Sequence, residues 1–176
     1  MTSKARDPLL IAARFILIFM MAVMGIVVVA CAIGALATLA VHGMLVTELA
    51  EHKIPEAAAW AIPPLLALVV GGGVLGFLFF RHLYRIVGTV GDGDPFTPDN
   101  AARLSAMGWI VVAVHVLAIP LLGIAAWIGK LAKETGHYHF DGGFDLGGVL
   151  LALILFILAR VFREGARMRE ELEGTV

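Results

Sequence analysis

The chain reads as an all-α membrane protein, a single domain over residues 1–176 with four transmembrane helices and both termini in the cytoplasm. Three observations predict this. Of the 176 residues, 60% are hydrophobic and only 15% are charged, and the mean hydropathy is +0.94. Soluble domains carry about a quarter charged residues. Four apolar runs reach or approach the roughly 18 residues that a helix needs to cross a bilayer. Finally, ten of the thirteen Lys and Arg lie in the N-terminal segment, around the central polar segment, or in the C-terminal tail. The other two connections hold three, so the positive-inside rule puts both termini and the central segment on the cytoplasmic side. A net charge of −1 supplies no clustered basic surface for nucleic acid, which speaks against direct binding to it. The single Cys31 rules out an internal disulfide.

The first span, about residues 10–41, follows Lys4, Arg6 and Arg14. Val28-Val29-Ala30-Cys31 loosely resembles a lipoprotein cleavage box, and Ala35-Leu36-Ala37 a signal-peptidase site. Signal peptide cores reach only about 15 residues, and this run is longer, so an uncleaved helix with Cys31 as an inert small residue is expected. His42, Glu48, Glu51, His52 and Lys53 then carry the chain out of the membrane. The second span is placed at about residues 59–86, with its apolar stretch ending near Phe80. Pro63-Pro64 are expected in its first turn, where a missing N–H is harmless. Ala30/Gly34 and Gly72/Gly76 have the small-xxx-small spacing that lets helices approach closely in lipid, within the bundle or between copies in a homo-oligomer. Packing within the bundle is the favoured use.

The central segment, residues 91–104, reads GDGDPFTPDNAARL. Thr97 is placed to cap a helix, Pro98 to occupy its first position, and Asp99 to complement its positive end. That leaves Phe96 and Asp94 without a local structural reason, and the spacing of Asp92, Asp94 and Asp99 does not match a calcium loop. The third span, about residues 104–130, carries His115 near its middle. Pro120 should free the carbonyl of Val116 and kink the helix. Residues 129–145 form a second polar connection, in which His137-Tyr138-His139-Phe140 before Asp141-Gly142-Gly143 resembles a short hairpin. The fourth span, about residues 146–172, includes a cytoplasmic extension whose Arg and Glu recur at helical spacing. Trp60 and Trp127 fall at the outer boundary, Tyr84 and Trp109 at the inner one, as in an aromatic belt.

The chemistry is sparse. His115 is the one ionisable side chain well inside a span, and such residues mark functional sites; a neutral imidazole bonded near the Pro120 kink is the structural reading. A bis-histidine haem is disfavoured, because His82 is displaced from His115 by about 10 Å in depth at ~1.5 Å per residue. His137, His139 and Asp141 are weak metal candidates that share one face of an extended segment, with His42 and His52 also on the outer side; a solvated loop is the favoured reading. No metalloprotease, nucleophile-elbow or phosphate-loop motif occurs. No enzyme activity and no cofactor are expected. In the tail, Arg160 and Arg163 can snorkel to lipid phosphates, and beyond them the charges balance.

Residues Gly93-Asp94-Pro95-Phe96-Thr97-Pro98-Asp99-Asn100-Ala101-Ala102-Arg103-Leu104 are followed by Gly108-Trp109. Together with the stretch from Leu158 to Ala166 (LARVFREGA) and the ending Glu173-Gly174-Thr175-Val176, they resemble the middle and closing signatures of a bacterial inner-membrane family. It is the uncharacterised domain-of-unknown-function family numbered twenty-nine seventy-five, and the resemblance extends over the four-span layout. It implies no reaction or cofactor, and the His-Tyr-His segment lies outside its pattern. It does imply that relatives are often encoded beside a small cytoplasmic helix-turn-helix regulator. The expected function is therefore that of a non-enzymatic sensor or accessory subunit in the bacterial inner membrane that engages such a regulator. Its contact residues would be Asp94, Phe96, Asn100, Arg103, Arg160, Arg163, Glu164 and Arg167. The alternative is a small transporter or channel that uses His115 and the Pro120 kink.

Overall fold

The computed structural model describes residues 8–51, 55–132 and 146–173. These form five helices and no strand: α1 (Pro8–Ala40), α2 (His42–Glu51), α3 (Glu56–Asp92), α4 (Pro98–Ala132) and α5 (Leu146–Glu173). Four of them, all but α2, are long and apolar enough to cross a membrane, so the chain is a multi-pass membrane protein. The hairpin expected around residues 137–143 lies outside the described residues.

Three boundaries differ from expectation, each for a local reason. The residues directly after the first span fold as a helix, α2 (His42–Glu51), separated from the end of α1 by Val41 alone. Here Val41 N–H donates to Ala37 O (2.9 Å) and Leu45 N–H to Val41 O (3.0 Å), so helical bonding runs through the junction. Pro63 and Pro64 are interior to α3 rather than in its first turn, because the helix starts at Glu56, directly after Pro55. Glu56 supplies the negative charge that a first turn favours, and Ala58 N–H donates to Pro55 O (2.9 Å). The two prolines lack the N–H groups that would bond the carbonyls of Ala59 and Trp60. At its other end α3 continues well past Phe80 to Asp92, since Arg81 and Arg85 end the apolar run without ending the helix. Pro120 also lies inside a continuous helix.

The contacts divide the chain into two compact units. One comprises the described parts of Met24–Val74 and Val114–Phe144. Its helices approach through glycine. A Cβ on Gly34 would lie 3.6 Å from Leu66 Cδ1, and one on Gly71 would lie 3.3 Å from Leu117 Cδ2. A Cβ on Gly73 would come within 2.7 Å of Val28 Cγ2. Val28 is β-branched and stiff at χ1, so Gly73→Ala is expected to cost about 1 kcal/mol. Thermal unfolding of purified protein in detergent should show this loss, with recovery in Gly73→Ala/Val28→Ala.

The other unit comprises the described parts of Met1–Val23, Leu75–Ala113 and Asp145–Val176. Its core joins Ile86 of α3, Leu104, Met107 and Val111 of α4, and Ala152, Leu155 and Ala159 of α5, with Phe79, Leu83, Val112, Phe156 and Phe162 packed against them. On α5 the inward positions are Ala152, Leu155, Ala159, Phe162 and Ala166, spaced three and four residues apart in alternation. That is the repeat of a helix seam, and alanine at every seventh position lets backbones come close. Outward-facing Leu150, Leu153, Ile154, Ile157 and Val161 are exposed, as a lipid-facing side requires.

Candidate functional site

The central segment is a five-residue connection, residues 93–97, between two capped helices. α3 ends with Gly93 in the left-handed region (φ 85). Gly93 N–H donates to Val90 O (3.1 Å) and Asp94 N–H to Thr89 O (3.0 Å). This pair of bonds satisfies the last carbonyls of the helix and favours glycine at that position. α4 starts as expected: Thr97 Oγ1 accepts from Asn100 N–H at 3.2 Å, Pro98 is the first helical residue, and Asp99 lies in the first turn.

Asn100 ties these ends together. It is 0% exposed, and its Nδ2 donates to Thr89 Oγ1 (2.6 Å) and to Pro95 O (2.8 Å). Its Oδ1 accepts from Arg103 Nη1 (2.7 Å). Arg103 also pairs with Asp99 at 3.0 Å, with 19% of its side chain exposed. Arg14 of α1 donates through Nη2 to Gly88 O near the end of α3 (3.3 Å), where a cation complements the helix dipole.

The two residues that lacked a local reason acquire distant ones. Asp94 pairs with Arg169 of α5. Phe96 stacks at 5.0 Å on Phe162 and lies over Gly165, where a Cβ would meet its Cδ1 at 2.8 Å. A second glycine–aromatic pair sits deeper. A Cβ on Gly108 of α4 would lie 2.8–3.0 Å from three ring atoms of Phe156 on α5, and Trp109 packs edge-on to the same ring at 5.5 Å. The middle and closing signatures, separated by nearly fifty residues of chain, are thus packed side by side.

Of the expected contact residues, Arg160, Arg163, Glu164 and Arg167 are exposed on α5, where Glu164 pairs with Arg167 at 2.8 Å. Phe96 is packed on one side and 43% exposed. Asn100 and Arg103 hold the connection from within. His115 is half-buried in α4. His42 stacks on Trp60 at 3.9 Å with both ring nitrogens shut off from solvent. Among the described residues, no group of three His, Cys, Asp or Glu side chains is arranged to hold a metal; His137, His139 and Asp141 lie outside them. Gly93 and the α5 seam were not singled out from the sequence. A glycine after a long helical run and small residues every seven positions were the available signals.

No curated protein and no solved structure matches the chain. Residues 44–176 match the model of a family described as a protein of unknown function (DUF2975). The match takes in α3, α4 and α5 and leaves α1 outside it. Over three of its four spans and both signatures, the chain belongs to the DUF2975 family.

Proposed function

We propose that this chain is a non-enzymatic accessory or sensor protein of the bacterial inner membrane, with both termini and the central connection in the cytoplasm. Its partner is a soluble cytoplasmic regulator of the helix-turn-helix class, engaged by one composite surface. The observation that carries this reading is the packing of residues 94–96 onto α5, through Asp94 with Arg169 and Phe96 with Phe162. That packing sets the exposed Arg163, Glu164 and Arg167 beside a connection rigidified at both ends. Mixed charge around a half-exposed aromatic suits a protein contact, because charges at a rim steer association while an aromatic anchors it.

The test is a photo-crosslinking amino acid placed at Arg167 of the full-length protein in cells, with and without Arg163→Glu. The expected result is one covalent adduct to a soluble helix-turn-helix protein, lowered about fivefold by the charge reversal. Adducts to lipid or to a second copy alone would overturn the proposal, and so would a soluble adduct that Arg163→Glu leaves unchanged.

A further inference from the structure

We infer that Arg81 and Arg85, on the exposed side of α3, form a binding site for the phosphate of an anionic phospholipid at one end of the α3 span. Between Glu56 and Arg81 of α3 there is no charged residue. That interval of roughly 36 Å at ~1.5 Å per residue matches or slightly exceeds a hydrocarbon core of about 30 Å. Arg81 is therefore the first charge to reach the headgroup layer. Arg103 ends the corresponding uncharged stretch of α4, and Arg160 that of α5.

The second observation is how the arginines are partnered. Arg103 is matched by Asp99, Arg167 by Glu164 and Glu171, and Arg169 by Asp94. Arg81 and Arg85, both exposed, have no carboxylate partner among the described residues, and on α5 the same holds of Arg160 and Arg163. Arg81 and Arg85 lie four positions apart and so project from one side of α3 about one turn from each other. Two guanidinium groups at that spacing can share the oxygens of a phosphate, which arginine recognises through paired N–H donors.

The third observation is His82. Its Nδ1 is shut off from solvent and has no hydrogen-bond partner in the protein. Arg85 and Arg81, and more weakly the Asp99-paired Arg103, place positive charge around its ring. A local field of one sign around two exposed guanidinium groups is completed by an anion. An anion held at headgroup depth on a lipid-exposed helix is a lipid phosphate. Basic groups at this level add about 1 kcal/mol each toward anionic lipid.

Native mass spectrometry of the full-length protein in detergent tests the site. The protein is titrated with phosphatidylglycerol, with phosphatidylcholine, and with inorganic phosphate. The expected result is selective retention of phosphatidylglycerol, falling roughly fivefold for each of Arg81→Gln and Arg85→Gln. Lys130→Gln, a charge removed elsewhere, should leave retention unchanged. Equal retention of the two lipids by the unaltered protein would overturn the inference, and this arm needs no variant to fold. Retention that survives Arg81→Gln/Arg85→Gln would also overturn it. So would displacement of the lipid by millimolar inorganic phosphate, which would identify a site for free phosphate instead.

Discussion

Asn100→Asp is expected to destabilise the folded protein by about 3 kcal/mol, although it changes neither the size nor the shape of the side chain. The two Nδ2 donor bonds of Asn100 go to oxygens that act as acceptors in this arrangement. Pro95 offers a carbonyl oxygen, and the Thr89 hydroxyl has already committed its proton to Ile86 O at 2.8 Å. A carboxylate would set oxygen against oxygen at both contacts, in a position that is 0% exposed. The charge recovers part of the loss, because Arg103 lies beside it and the first turn of a helix favours a negative group. Neither effect supplies a donor. Buried polar groups left without a partner cost about 1–3 kcal/mol each, which sets the sign. The measurement is the unfolding midpoint of the purified protein in detergent, with Asn100→Leu as a companion. If the aspartate variant unfolds with the parent, the role assigned to Asn100 is wrong.

Gly108→Val is expected to cost ~3 kcal/mol, the upper part of the range for overpacking a core, and to loosen α5 from α4. The obstacle is the Phe156 ring, which presents three atoms within 2.8–3.0 Å of where a Cβ would sit. That ring is itself held by Trp109, so it cannot simply swing aside. Better helix propensity of the new residue offsets only a fraction of this, since Gly and Val differ by a few tenths of a kcal/mol. Gly108→Val with Phe156→Ala should recover much of the loss. Disulfide trapping between cysteines at Met107 and Leu155, in protein lacking Cys31, would report whether the two helices remain in contact. Undiminished trapping and stability in Gly108→Val would exclude the proposed fit.

The sequence revealed the four spans because length and hydropathy are local properties, and it revealed the start of α4 because Thr97, Pro98 and Asp99 act on their own helix. It did not reveal α2. Ten residues that include Gly43, Glu48 and Glu51 are too short and too polar to signal a helix by themselves. It misplaced Pro63-Pro64, because a proline pair reads as a boundary and here the alanine-rich stretch before it extends the helix toward the N-terminus. Phe96 and Asp94 stood out as residues with no local task, and that was as far as the chain could be read. Their partners, Phe162 and Arg169, are 66 and 75 positions away, and nothing in either neighbourhood names the other. Asn100 shows the opposite weakness. The sequence offers it as a contact for a partner, and only the packing shows it fully buried, as the residue whose bonds close the connection.

The two glycine–phenylalanine contacts run in opposite directions. α4 offers the hollow for a ring carried by α5 at Gly108, and α5 offers the hollow for a ring carried by the connection at Gly165. Reciprocal sockets of this kind act as a key against axial sliding. Moving α5 by one turn in either direction would take each ring off its glycine and set it against a residue that carries a side chain, even though the alanine seam alone would tolerate a slip of seven residues. Sliding α5 along its own axis is therefore opposed by both sockets at once, whereas lifting or tilting it withdraws the rings without that clash.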